Sequence, residues 1–260
     1  MPAVLVALVF GLGLIFGSFL TVVIARVPVG ESIVRPRSRC PACGTEIRAR
    51  DNIPVASWVL LRGRCRACNW RISAEYPLVE LATAALFAGA AALVEPLYAA
   101  ILAAPMLGLM LAIGVIDARH RIVPNRIVYP ALVLFGAAIV VGHLAGWGVD
   151  AIDGAVGLAL YGVPLLLVAV VVPRGMGMGD VKLAALIGLV LGSFGLAYVG
   201  VAAGVGIIGG GLGALVALAI LGAGRRDQIP FGPFLAGGAV VATLAGPWIA
   251  ETYLSLLVGR

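Results

Sequence analysis

Long apolar stretches separated by short polar ones make up most of this chain, and one long polar segment near the start breaks the alternation. The apolar runs stand at about 3–24, 78–94, 98–116, 127–147, 152–172, 181–198, 199–222 and 231–250. Each is close to the ~20 residues that a helix needs to cross a bilayer core. The sixth and seventh adjoin without a polar loop, so the sequence marks no clear break there. The pattern predicts an all-α polytopic membrane protein with about eight transmembrane helices. The first run has the length of a signal peptide, but Met1 to Ala25 contains no Lys or Arg. The arginines after it read as a stop-transfer flank, so the run is expected to stay as a helix.

Composition agrees. Of 260 residues, 62% are hydrophobic and only 12% are charged, about half of the usual ~25%. With a mean hydropathy of +1.12, a water-soluble globule is excluded. The 36 glycines, densest from Gly204 to Gly213, suit close helix packing in lipid. Charge then orients the bundle. Of 18 Lys and Arg, ten lie between Arg26 and Arg71, and only Arg260 falls on the side opposite the face on which eight spans would place the others. The positive-inside rule makes that face cytoplasmic and both termini external. This asymmetry accounts for the pI near 9.5, and no nucleic-acid partner is needed.

The chain divides into a first helix (1–25), an Arg-rich cytoplasmic loop (26–76) and a helical bundle (77–260). The loop holds all four cysteines as Cys40-Pro-Ala-Cys43 and Cys65-Arg-Ala-Cys68, with 21 residues between the pairs. Two such knuckles bring four thiolates to one tetrahedral ion, usually zinc, and four cysteines leave no open position for catalysis. A structural zinc is therefore expected. Two disulfides are the rival reading, disfavoured in a reducing compartment; iron is a smaller rival. A loop with few large hydrophobes would draw its folding energy from the metal.

Two carboxylates stand at the borders of apolar runs. Asp117 follows the run ending at Ile116, and Asp180 closes Gly175-Met-Gly-Met-Gly-Asp. A carboxylate beside hydrocarbon is costly and usually functional, and two that share a proton can activate water for peptide hydrolysis. Each also has an ordinary reading. Asp117 would end a helix in solvent, and Asp180 would be the N-cap of a helix starting at Val181. The glycines favour a site: Gly175, Gly177 and Gly179 leave a backbone edge on which an extended peptide can lie. Lys182 reads as an interfacial snorkelling residue, and His120 and His143 as incidental. The stretch Gln228-Ile-Pro-Phe-Gly-Pro-Phe234 is equally readable as a helix start or as a rigid wall, with Pro230 bordering a substrate groove.

Together these residues resemble the type IV prepilin peptidases, bifunctional leader peptidase/N-methyltransferases. The likeness runs through Phe16-Gly-Ser-Phe-Leu-Thr-Val-Val-Ile-Ala-Arg26, Arg39-Cys-Pro-Ala-Cys43, Asp51-Asn-Ile-Pro-Val-Ala-Ser-Trp58, Arg62-Gly-Arg-Cys65 and Tyr76-Pro-Leu-Val-Glu80. It continues through Ile116-Asp117 with Ile122-Val-Pro124, Gly177-Met-Gly-Asp180 with Val181-Lys-Leu183, and Ile229-Pro-Phe-Gly-Pro-Phe234. The resemblance implies that Asp117 and Asp180 are the catalytic pair of an aspartic endopeptidase in the bacterial cytoplasmic membrane. Its substrates would be type IV prepilins or type II secretion pseudopilins, cut after a short basic leader on the cytoplasmic side. It also implies methylation of the new N-terminus from S-adenosylmethionine, associated with the 26–76 loop. Thr21, Glu75 and Asn125 stand where the family pattern leads one to expect Asn, a basic residue and Asp. A preflagellin-type peptidase without methyl transfer, a proton-coupled transporter and a zinc-loop scaffold are the alternatives.

Overall fold

The computed structural model describes residues 3–172, 176–219 and 230–258. These residues form helices α1 (Ala3–Arg26), α2 (Ala56–Leu60), α3 (Glu75–Leu93), α4 (Leu97–His120), α5 (Asn125–Leu144), α6 (Ala151–Val171), α7 (Met178–Phe194), α8 (Leu196–Ala219) and α9 (Gly232–Val258). Among the described residues the only β pairing is two isolated bridges in the loop between α1 and α3. Seven helices are long and apolar enough to cross a bilayer. The eighth long helix, α7, has 17 residues, at the short end of the spanning range of roughly 17–25.

The unmarked break between the sixth and seventh apolar runs falls at Gly195, earlier than the expected boundary near residue 198. Its φ of +140° is open to glycine and to almost no other residue. Its N–H closes α7 by donating to the carbonyls of Leu191 and Gly192. At the other end α7 begins at Met178 with Gly177 as N-cap. Asp180 therefore lies inside the first turn and is not the cap. Helix α4 likewise continues past Asp117 to His120.

Small residues set the closest helix pairs. A Cβ at Gly13 or Gly17 of α1 would lie 2.6 Å from Ala84 Cα or 2.7 Å from Glu80 Cα on α3. Gly157 of α6 meets Gly188 and Gly192 of α7 in the same manner. In lipid, where no hydrophobic effect separates helix from solvent, such close backbone approach is the main source of association. Helix α4 is central, packed against α1, α3, α7 and α9, with Met106, Leu107, Met110, Ile113 and Ile116 fully buried. The outside is as apolar as the core: Leu12, Ile15, Val133, Leu134, Leu167 and Leu215 are all exposed. A face of that kind is made for hydrocarbon.

The ends of the bundle differ. At one, Arg126 donates to the Gly30 carbonyl, Arg119 pairs with Glu75, and Lys182 reaches Asn125. At the other, Gly148 lies against Pro96 and the Asp150 N–H donates to Ser193 O at 2.9 Å. The basic loops among the described residues thus gather at one end, and the loops near 95 and 150 at the opposite end. Arg174, Arg225, Arg226, Gln228 and Ile229 lie outside the described residues.

Candidate active site and cysteine cluster

Asp117 is fixed by three features. It sits on the central helix one turn before its end, and it is only 4% exposed. Its own carbonyl accepts the N–H of Arg121, the left-handed residue (φ 55°) that terminates α4. Its Oδ2 accepts the backbone N–H of Gly232 at 3.0 Å, across from the start of α9.

Asp180 stands half-buried in the first turn of α7, where its N–H donates to the Gly177 carbonyl at 3.1 Å. Both aspartates line one cleft of about 290 Å³, together with Arg121, Val123, Asn125, Gly177 and Lys182. Among the described residues neither aspartate has an ion-pair partner within reach. Lys182 is held off by other bonds: its Nζ donates to Asn125 Oδ1 at 3.0 Å and lies 5.0 Å above the Tyr129 ring. It forms part of the wall of the cleft.

The glycines before Asp180 divide their work. Gly177 leaves open space at the carboxylate, since a Cβ there would make only ordinary contacts, with Asp180 Oδ2 at 3.7 Å and Gly179 N at 3.9 Å. Gly179 is a packing position, because a Cβ there would come within 2.9 Å of Val123 Cβ. Gly175 lies outside the described residues.

The residue that sequence reasoning missed is Gly232. A Cβ on it would lie 2.6 Å from Asp117 Oδ2. The bond to Asp117 is made by Gly232, two positions after Pro230. Its neighbours hold it there. Phe231 and Phe234 cover Gly210 and Gly213 of α8 so closely that neither glycine has room for a side chain. The glycine-dense stretch of α8 is thus a packing surface for the two phenylalanines. The signal was visible as Phe-Gly-Pro-Phe, but not its target.

The loop between α1 and α3 folds as two like knuckles. Cys40 N–H donates to Thr45 O and Gly44 N–H to Cys40 O; Cys65 N–H donates to Trp70 O and Asn69 N–H to Cys65 O. Gly44 (φ 69°) and Asn69 (φ 58°) take the same left-handed place in each. All four Sγ atoms lie within 4.8 Å of one another, and Cys40 and Cys68 are 3.8 Å apart. An edge near 3.8 Å is what a tetrahedron with metal–sulfur distances of about 2.3 Å requires. The cysteines are free. The amides of Cys68 and Ala67 hold the Cys65 thiol below its ordinary range. The side chain and amide of Thr45 bring Cys43 down to about 6. Both effects favour the thiolate, the form that binds metal, whereas at Cys68, against the lowering amide of Trp70, burial and the neighbouring sulfurs push the thiol up to about 12. His120 and His143 belong to neither site: the first ends α4, and the second accepts the Ala151 N–H at the far end of the bundle.

Residues 11–94 match the profile of the bacterial peptidase A24 N-terminal domain, and residues 104–225 match that of the type IV leader peptidase family. The chain belongs to the type IV leader peptidase family. Its relatives include the prepilin leader peptidase/N-methyltransferase of Bacillus subtilis (strain 168), 33% identical over 98% of this chain and 100% of that protein. The protein of the same name from Pseudomonas putida is 36% identical, over 98% and 96%. That of Myxococcus xanthus (strain DK1622) is 39% identical, over 84% and 65%. No solved structure matches the chain. The first family region spans the cysteine knuckles, and the second carries Asp117 and Asp180.

Proposed function

We propose that the protein is a membrane-embedded aspartic endopeptidase that removes the leader of type IV prepilins or type II secretion pseudopilins and N-methylates the new terminus. The observation that carries this is the meeting of Asp117 and Asp180, from different helices, in one cleft with no cation paired to either among the described residues. Two neighbouring carboxylates cannot both ionise cheaply, so one keeps a proton. The ionised one takes a proton from water as its oxygen attacks the scissile carbonyl carbon. The protonated one gives its proton to the carbonyl oxygen. Collapse of the tetrahedral adduct breaks the C–N bond, and the leaving amine takes up a proton. Open space at Gly177 admits an extended backbone beside Asp180.

The cleft lies at a helix end, which suits a substrate whose basic leader stays in cytoplasm while its apolar helix stays in lipid. A proton-relay transporter would place such groups nearer mid-bilayer. The gathering of basic residues at that end supports a cytoplasmic active side in the bacterial inner membrane. The roles divide as 1–25 anchoring helix, 26–76 zinc-binding and methylation-associated loop, and 77–260 peptidase bundle. The four cysteines hold a structural zinc, and S-adenosylmethionine supplies an electrophilic methyl group when bound. The test is cleavage of a leader-bearing pilin peptide by the purified protein. Asp117→Asn and Asp180→Asn should each abolish it while leaving the protein folded and inserted. Because the pair acts as a unit, the double variant should be little worse than either. Substantial cleavage by Asp180→Asn would sink the mechanism.

A further inference from the structure

A second cavity, of about 580 Å³, lies between the cysteine loop and the ends of α1 and α3, and it shares no residue with the aspartate cleft. Its size falls in the range of roughly 300–1,000 Å³ that takes small organic ligands. Part of its lining is apolar, with Ile53, Trp58 and Ile72 among the residues there. The Trp58 indole is held in place by its N–H bond to Ile72 O at 3.2 Å. It also lies against Gly63, where a Cβ would come within 2.9 Å of the ring.

At the membrane end the lining includes Thr21, Val22, Tyr76 and Glu80, while Arg26, Arg37, Arg39, Arg48 and Arg66 line the cavity elsewhere. Glu80 is 7% exposed, and no ion pair among the described residues includes it. Its Oε2 accepts the Val55 N–H at 2.7 Å. That bond holds Val55 at φ 59°, ψ −50°, a region that β-branched residues rarely adopt. Strain of this kind persists where the surroundings enforce it, and it concentrates at binding sites. A buried carboxylate without a cation is costly. A ligand that brings a positive charge would relieve it.

We propose that this cavity binds the adenosyl sulfonium methyl donor, its adenine on the Trp58 wall and its charged sulfur at the Glu80 end. The inference rests on the methyl-transfer reading above. The polarity follows from the acceptor: the new amine heads an apolar helix that lies in lipid, so the methyl group must face the membrane end.

The test is calorimetric binding of S-adenosylmethionine and of S-adenosylhomocysteine, which lacks the sulfur charge, to the full-length protein in detergent. Glu80→Gln keeps an oxygen for the Val55 N–H and removes the charge. The wild type should prefer the sulfonium by about tenfold or more, the scale of losing one desolvated charge contact. Glu80→Gln should lose that preference, bind the neutral thioether within about threefold of wild type, and cleave leader peptide as before. Trp58→Ala should weaken both ligands together. A Glu80→Gln protein that keeps the preference places the sulfur elsewhere and overturns the proposal. So does a Trp58→Ala protein that binds both ligands as the wild type does. A wild type that methylates a pre-cleaved pilin without measurable donor binding here also overturns it. If the wild type neither binds the donor nor methylates, the methyl-transfer reading falls with it.

Discussion

The backbone N–H of Gly232 donates to Asp117 Oδ2 at 3.0 Å, joining positions 115 residues apart. The bond orients a buried carboxylate at the edge of the cleft, and it exists only because residue 232 has no Cβ. Gly232→Ala would place a methyl group 2.6 Å from Oδ2, so either the carboxylate or α9 must shift. A misplacement of about 1 Å at a reacting group costs on the order of 100-fold in rate. Leader cleavage should fall by about that factor, whereas methylation of a pre-cleaved pilin should hold. Measured kcat for both reactions on one preparation checks this. Unchanged cleavage would remove Gly232 from the positioning of Asp117.

Glu75 departs from the basic residue that the family pattern leads one to expect, and it pairs with Arg119, two residues beyond Asp117. The pair is partly exposed, with side chains 47% and 33% accessible. Exposed pairs contribute about 0–1 kcal/mol. Glu75→Arg should therefore leave cleavage within about twofold and the melting temperature within a few degrees. A larger loss of cleavage would mean that this pair sets the end of α4 and, with it, Asp117.

The spans were legible because lipid leaves the backbone no partner but itself, so a run of apolar residues reads directly as a helix. The cysteine spacing was legible for a related reason: two Cys-x-x-Cys knuckles are local structures, closed by their own amides at Cys40 and Cys65. The two aspartates stood out because charge beside hydrocarbon is rare. What escaped were contacts between distant segments. Nothing periodic links Gly232 to Asp117. Whether Gly179 serves packing against Val123 or substrate access depends on the turn between α4 and α5, far from it in sequence. The strained Val55 and its bond to Glu80 likewise arise only when the loop folds back onto α3.

The two ends of the bundle give a topology prediction. Ala145 is exposed in the turn after α5, and His120 is exposed at the other end of α4. Placed singly in a background without native cysteines, Ala145→Cys should react with an impermeant maleimide in intact cells. His120→Cys should react only after the membrane is opened. Labelling of His120→Cys from outside would invert the orientation.

Removing the metal should separate the two activities. Cys40 and Cys65 line the larger cavity, and Arg66, next to Cys65, holds Asp51 through contacts of 2.6 to 3.1 Å. That bond keeps the Asp51 carboxyl below its ordinary range. The knuckles therefore shape the cavity wall, and on the structural-zinc proposal the ion would supply their folding energy. The aspartate cleft is built by α4, α5 and α7, with Gly232 at the start of α9 bonded to Asp117; lipid and interhelical packing support all four helices without metal. Elemental analysis of protein prepared without chelator should give about one zinc per chain. After stripping, donor binding and methylation should fall by about tenfold or more, while helical circular dichroism stays unchanged and cleavage stays within about twofold. Cys40→Ser should reproduce the split, because Cys40 is the buried cysteine of the four. Full methylation in metal-free protein would end the structural-metal reading. Equal loss of cleavage would show that the loop also shapes the peptidase cleft, through the Arg119–Glu75 and Arg126–Gly30 links that join the two halves.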